Sequence, residues 1–206
     1  MNQHKSILQL CPVKPAVRSN NCFQITGVAY CAYDEEPSRK AIRTANALKH
    51  ASERRLLRGE GNSLLHQVEA TPVSEITEEA LLDIWLSVPR EHQSGAVFLM
   101  NTSTLDALCH ALRKGPYSLL SSTPEQGFRL MNKPIILCSD MPCIAPGSIP
   151  ILYGDFSQVQ ITDQGTGKLR VRADKTFPGM DECALDAWMD ICLMDRQALR
   201  GLRIAE

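Results

Sequence analysis

The chain has 206 residues, 44% of them apolar and 22% charged, enough material for one sizeable core or two small ones. Its 22 Lys+Arg against 23 Asp+Glu leave a net charge of −1. That balance excludes general nucleic-acid binding through a broad basic face and leaves room only for a local patch. No apolar run approaches the roughly 18 residues that a membrane span needs. Between Met1 and Val13 an apolar patch (Ile7, Leu8, Leu10) is interrupted by Gln9 and ended by Pro12 and Lys14. It is too short for a signal-peptide core, so the chain is expected in the cytosol.

Pro12, Pro15 and Asn20-Asn21 are turn formers, and Phe23 to Tyr30 partly alternates as one strand does. A well-signalled helix follows. Asp34-Glu35-Glu36 places negative charge at its start and Pro37 suits its first position. Ala41, Ala45, Leu48, Ser52 and Leu56 make a narrow stripe of small and apolar residues. Arg54, Arg55 and Arg58 oppose the negative helix end, and Gly59 closes it as a C′ glycine does. The helix is about 22 residues, or about 33 Å, long. Gly59-Glu60-Gly61 is not a dinucleotide fingerprint, because Leu64 stands where a third Gly is needed and a helix precedes it.

Residues 62 to 76 read as a loop containing Thr71-Pro72. Thr77 caps a second helix, with Glu78 and Glu79 in its first turn and Leu81, Ile84, Trp85 and Val88 on one face, ended by Pro89. Glu91 to Ser94 is a polar link. Ala96 to Met100 is an apolar run long enough for a buried strand. Asn101 or Thr102 caps the next helix, in which Leu105, Leu108, Cys109 and Leu112 share a face, and Gly115-Pro116 stops it. Next come Phe128-Arg129-Leu130, a turn at Asn132-Lys133-Pro134, and the apolar run Ile135 to Cys138, closed by Ser139 to Pro142. A further strand, Ile151-Leu152-Tyr153, ends in Gly154-Asp155-Phe156.

Val159 and Ile161 alternate as in a half-buried strand, and Thr162 to Gly167 is read as a turn. Lys168 to Arg172 alternates again, with Lys168, Arg170 and Arg172 on one face, the pattern of a solvated strand. Leu185, Ala187, Met189, Ile191 and Leu193 share one face of a long strand, while Leu185, Trp188, Met189 and Cys192 share a helix face, so periodicity leaves both readings open. Asp195 is expected to cap a last short helix carrying Ala198 and Leu199 and stopped near Gly201.

No catalytic constellation stands out. The eight cysteines (Cys11, Cys22, Cys31, Cys109, Cys138, Cys143, Cys183, Cys192) form no CxxC pair, and no His follows Cys138 and Cys143 at zinc-ligand spacing. They read as reduced thiols, with Cys109 and Cys138 as small core residues. The histidines (His4, His50, His66, His92, His110) are scattered and form no HExxH. Cys109 and His110 are consecutive on a helix and point about 100° apart, so they do not form a dyad. There is no Gly-x-Ser-x-Gly elbow. Catalytic, cofactor-binding and metal residues are therefore assigned as none. The enzyme alternative is a small cytosolic α/β enzyme with a cysteine nucleophile, Cys138 or Cys143, beside a strand end.

Five stretches together resemble the major capsid proteins of tailed phages, the Hong Kong 97 type. They are Phe98-Leu99-Met100-Asn101 followed by Thr104-Leu105; Asn132-Lys133-Pro134-Ile135; Asp140-Met141-Pro142; Tyr153-Gly154-Asp155-Phe156; and Asp195 with Ala198-Leu199 and Leu202. The resemblance covers roughly Pro37 to Ala205. It implies an α+β fold in which a long spine helix lies along a small antiparallel sheet joined to a compact axial domain, and it favours the strand reading of 185–193. It implies a division into an N-terminal segment (1–33), a peripheral-type region (34–60 with 165–192) and an axial-type compact domain (61–164 with 193–206). The stretch ahead of Asp34 is too short for the family's N-terminal arm and two-stranded extended loop. The Lys of the family's cross-link belongs to that loop, so no cross-linking residue is carried over.

The implied function is assembly. The chain is expected to be a structural subunit of a phage or prophage capsid, possibly truncated, that joins copies of itself in pentamer- and hexamer-type contacts into rings or shells. Packaged DNA would be contacted non-specifically, no membrane would be involved, and scaffold or portal proteins are possible partners. The implied location is the virion capsid, and the host cytoplasm before assembly. A shell subunit of a protein compartment, or a decayed prophage fragment, would share the pattern.

Overall fold

The computed structural model describes residues 7–15, 22–59, 61–112, 119–123 and 127–206. Helix α1 (Ile7–Leu10), strands β1 (Val13–Pro15) and β2 (Phe23–Ala32), and helices α2 (Pro37–Arg58) and α3 (Leu64–Gln67) come first. Strand β3 (Glu69–Val73), helices α4 (Glu78–Ser87) and α5 (Arg90–Gln93), strand β4 (Val97–Met100) and helix α6 (Thr102–Leu112) follow. The rest is strand: β5 (Leu120–Thr123), β6 (Gly127–Leu130), β7 (Lys133–Leu137), β8 (Ile151–Gly154), β9 (Val159–Thr166), β10 (Arg170–Ala173), β11 (Met180–Leu193) and β12 (Leu199–Ile204).

The three apolar runs become neighbours. β8, β4 and β7 lie at the centre of a seven-stranded mixed sheet ordered β3-β12-β8-β4-β7-β6-β5. Both faces of the central strands are covered, which is why their sequences are apolar at every position rather than at alternate ones. Phe98, Met100, Ile135, Leu137, Ile151 and Tyr153 face one way, into a core closed by α4 and α6 through Leu81, Ile84, Leu105 and Leu108. Leu99, Ile136, Leu152 and Leu199 face the other way. There they meet Leu56 and Leu57 of α2, Leu64 and Leu65 of α3, Ile7 of α1, and Ile161 and Ile191 of a second sheet.

That second sheet has five strands, ordered β1-β9-β11-β10 with β2 also on β11. It is antiparallel except for the β1–β9 pair. β2 and β11 pair over ten residues, from Phe23↔Met189 to Ala32↔Met180. α2 packs on one face through Ile25, Leu48 and Ala187. Gly27 allows this approach, since a Cβ there would lie 2.2 Å from the Leu48 Cα. The long apolar stretch 185–193 is thus strand, as the resemblance favours.

Several caps are where the sequence places them. The Thr77 hydroxyl accepts the Ala80 N–H at 3.2 Å, and the Asn101 side chain accepts the Thr104 N–H at 2.7 Å. α2 also has the predicted bounds, but its buried stripe is rotated. Ala41 and Ala45 are exposed, and Lys40, Thr44, Leu48, Ser52 and Leu56 are buried. The cause is Lys40, whose Nζ donates to Asp181 Oδ2 at 2.6 Å and to the Tyr33 carbonyl at 2.9 Å. Satisfying that buried ion outweighs covering two alanine methyl groups. Gly59 is extended (φ −67°), with its N–H on the Arg55 carbonyl, and the left-handed glycine is Gly61 (φ +77°).

Four loop or terminal assignments change. The 62–76 loop contains α3 and β3, and β3 keeps Pro72 because it is an edge strand. The polar link after Pro89 contains the helical turn α5. The 162–167 turn is shorter than expected, because β9 stays paired with β11 as far as Thr166. The expected last helix is strand β12, which pairs with β3 and β8. Asp195 does cap, but it caps a turn, accepting the Gln197 N–H at 2.8 Å. The helix stop at Gly115-Pro116 and the turn at Asn20-Asn21 lie outside the described residues.

Gly154 fixes the corner where β8 leaves the sheet. Its φ is +144°, and a Cβ there would lie 1.9 Å from the Ala198 carbonyl oxygen. The next residue, Asp155, donates its N–H to that same oxygen at 2.9 Å. Gly154→Ala is expected to cost more than about 3 kcal/mol, because a backbone collision adds to the conformational strain. Gly61→Ala meets nothing within 4 Å. It is expected to cost only about 1–2 kcal/mol, the strain of the left-handed conformation. Urea unfolding of the two variants checks the contrast.

Candidate functional site

Of the two thiols that the enzyme alternative names, Cys138 is buried and Cys143 is exposed. Cys11, Cys31, Cys138 and Cys183 are buried, Cys22 and Cys109 are half-buried, and Cys143 and Cys192 are exposed. Burial pushes the Cys11 thiol up to about 12. It also raises Cys138, and backbone N–H groups of the following turn only partly oppose this. A nucleophilic cysteine needs the opposite shift. Cys143 Sγ accepts the Asn101 amide at 3.3 Å. Cys109 packs toward the core formed with α4 and α6, while its neighbour His110 is exposed.

The second sheet offers surface chemistry instead. α2 covers one face. On the other, Thr26, Val28 and Tyr30 of β2 alternate outward beside Trp188 of β11. Val28, Tyr30, Trp188 and the nearby Phe177 are exposed, and Phe177 meets the Tyr30 ring edge-on at 6.0 Å. Among the described residues no strand pairs with the outer edge of β2.

The expected row of solvated cations is only partly that. Lys168 falls before β10. Arg172 sits opposite Glu182. Arg170 is held on Asp186, with Nη1 2.8 Å from Oδ2 and Nη2 3.1 Å from Oδ1. Thr26 donates its hydroxyl to the same carboxylate at 2.6 Å. The Thr26 hydrogen bond, then those of Gln24 and Arg170, hold the Asp186 carboxyl below its ordinary value against the cost of burial. Three strands, β2, β10 and β11, are thus pinned through one buried acid.

Along the last turns of α2 runs a groove of about 590 Å³, lined by His50, Arg54, Arg55 and Arg58 with Ala47, Ala51 and Val28. Arg55 stacks on the Phe23 ring at 4.2 Å, and Arg54 lies 3.5 Å from Asp140. This is the local basic patch that a net charge of −1 still permits. A further group escapes sequence reading altogether. His92 Nε2 donates to Asp195 Oδ2 at 3.0 Å, 103 positions away, and the ring also faces Asp155. Only the turn of the chain at Gly154 brings these together.

Comparison with known proteins gives one consistent answer. The profile of the phage capsid family matches residues 41–182. No curated protein matches the chain. Among solved structures, the capsid of the empty GTA particle superposes with a TM-score of 0.71 at 17% identity, over 98% of this chain and 90% of that one. The holo-encapsulin complex from Synechococcus elongatus gives 0.61 at 16% identity, over 90% and 74%. The virus-like particle from Pyrococcus furiosus gives 0.56 at 11% identity, over 97% and 93%. The α+β fold implied by the sequence resemblance is the fold of these shells.

The Asp186 network predicts a pH dependence. A carboxyl lowered in the folded state contributes stability that is full above its unfolded value of about 4 and is lost as pH falls through the folded value. Asp186→Asn is therefore expected to unfold at lower urea than the parent at neutral pH, with the difference shrinking steadily below about pH 4. Urea midpoints measured from pH 7 to pH 2 test this, and a gap that stays constant would remove Asp186 as the pinning group.

Proposed function

The chain belongs to the phage capsid family, and we propose that it is a self-assembling structural subunit of a phage or prophage capsid, building rings or shells rather than turning over a substrate. The observation that carries this reading is the match of the family profile over residues 41–182, in a chain whose fold is that of capsids and capsid-like shells. In this reading the chain divides into an N-terminal segment (1–33), a peripheral-type region (34–60 with 165–192) and a compact axial-type domain (61–164 with 193–206). The β9 part of 61–164 then joins the peripheral sheet through its pairing with β11.

Copies would meet head-to-tail around rotational axes, and such contacts close into rings when the rotation permits. Each contact can be weak, because a closed shell engages many at once. The apolar outer face of β2, its edge, which pairs with no strand among the described residues, and the groove beside α2 are surfaces of the right character for such contacts. DNA would be contained rather than read, touched only through local patches such as the α2 groove. Scaffold or portal proteins would be further partners, and the virion capsid, reached from the host cytoplasm, the destination.

Similarity to an encapsulin favours a second reading, the shell of a protein compartment. Sedimentation velocity on the purified chain tests both. Rings or shells far larger than the 22.8 kDa chain are expected. Nucleic acid co-sedimenting with the particles marks the capsid, and its absence marks the compartment. A monomer at every concentration contradicts the assembly reading.

A further inference from the structure

Three segments distant in sequence converge at one end of the seven-stranded sheet: α5, the corner after β8, and the turn before β12. They bring one histidine against three carboxylates. His92 Nε2 lies 3.0 Å from Asp195 Oδ2 and 3.7 Å from Glu91 Oε1, and Nδ1 lies 4.0 Å from Asp155 Oδ2. One ligand atom from each of Glu91, His92 and Asp195 falls within 4.8 Å of the others. We propose that Glu91, His92 and Asp195 form a binding site for one divalent transition-metal ion of the zinc class, with Asp155 positioning the His92 ring.

The spacing carries the argument. A four-coordinate ion with N and O ligands at about 2.0–2.2 Å sets neighbouring ligand atoms roughly 3.3–3.6 Å apart. The two distances from Nε2 bracket that range, so small side-chain rotations complete the shell. The imidazole is 8% exposed, and its ring is held between groups on either side. For the Nε2 lone pair to take the metal, the proton that Nε2 directs at Asp195 at 3.0 Å has to move to Nδ1, the ring nitrogen that faces Asp155 at 4.0 Å; the result is the carboxylate–histidine–metal order.

Asp155 is itself fixed. Its Oδ1 accepts the Ser157 N–H at 2.9 Å, and a Cβ on Gly95 would come within 3.1 Å of that oxygen. Asp195 gives Oδ1 to the Gln197 N–H, which leaves Oδ2 for the site.

Charge points the same way. With a neutral imidazole, Glu91, Asp155 and Asp195 give the cluster three negative charges. One nitrogen with carboxylate oxygens suits zinc-class ions rather than Mg²⁺ or Ca²⁺, which prefer an all-oxygen shell of six or more. Glu91 and Asp195 are 72% and 40% exposed at the side chain, so a fourth position faces solvent. A bound ion would staple α5 to the two turns that Gly154 brings together.

The test uses the full chain, stripped of metal by a chelator and kept reduced, titrated with Co²⁺. One equivalent is expected to bind with visible d–d absorption and no thiolate-to-metal band in the near ultraviolet. The melting temperature should rise with Co²⁺ concentration. Glu91→Gln, at an exposed position, should leave the metal-free melting temperature unchanged and weaken binding at least about tenfold, as should Asp155→Asn. His92→Gln should abolish binding. Three results overturn the proposal: no saturable binding, which leaves a plain His–Asp ion pair; a thiolate band, which assigns the ion to the cysteines; or binding unchanged in Glu91→Gln.

Discussion

Helix α2 must satisfy two environments at once, and most of the molecule is arranged around that requirement. Near its start, Lys40 reaches across to Asp181 on β11, with side chains only 9% and 8% exposed. A buried ion pair is a weak source of net stability, but losing one partner strands the other charge. It therefore fixes the rotation of the helix about its axis. The hydrogen bond to Asp181 raises Lys40 above its ordinary value. Its contribution is then full below about pH 10 and lost only as pH climbs through the raised value. With the rotation set, Leu48 falls over Gly27, and Leu56 and Leu57 at the far end enter the core shared by both sheets. One rigid element joins a thin sheet, open on one face, to a thick one covered on both.

That asymmetry links the fold to assembly. The seven-stranded sheet spends its apolar surface internally, with Tyr153, Phe98, Leu99 and Leu152 fully buried. Among the described residues the five-stranded sheet is covered by a helix, α2, on one face only. Its open face keeps Val28, Tyr30, Phe177 and Trp188 partly in solvent, with the Asp186 network on the same face tying β2, β10 and β11 together. A subunit that is rigid in one part and keeps a presentable apolar surface in another suits repeated weak contacts between copies. Among the described residues no helix is long and apolar enough to cross a membrane.

Much of this was legible in the sequence, and the failures have physical causes. The apolar runs at 96–100, 135–138 and 151–153 announce strands buried on both faces, and the bounds of α2 follow from Pro37 and the arginines before Gly59. The strand β3 was hidden by Pro72, which normally argues against a strand but is tolerated at an edge. The strand β12 was read as helix because Asp195 does cap a turn and Ala198, Leu199 and Leu202 fit helical spacing, so pairing with β3 and β8 overrode local preference. The Lys40 face lost to alanines because a sequence does not show where a lysine finds its acid. His92 looked isolated for the same reason. Its partners lie in other segments, and the only sequence signal was the Tyr153-Gly154-Asp155-Phe156 step, which marks a corner without saying what it meets.

Assembly is tested most directly by electron cryo-microscopy of the purified chain. Closed rings or shells are expected, in which every subunit shows the long α2 rod beside its sheet, with the seven-stranded domains gathered around the rotational axes. Monomers, or irregular aggregates in which no two neighbours share the same contact, would contradict it.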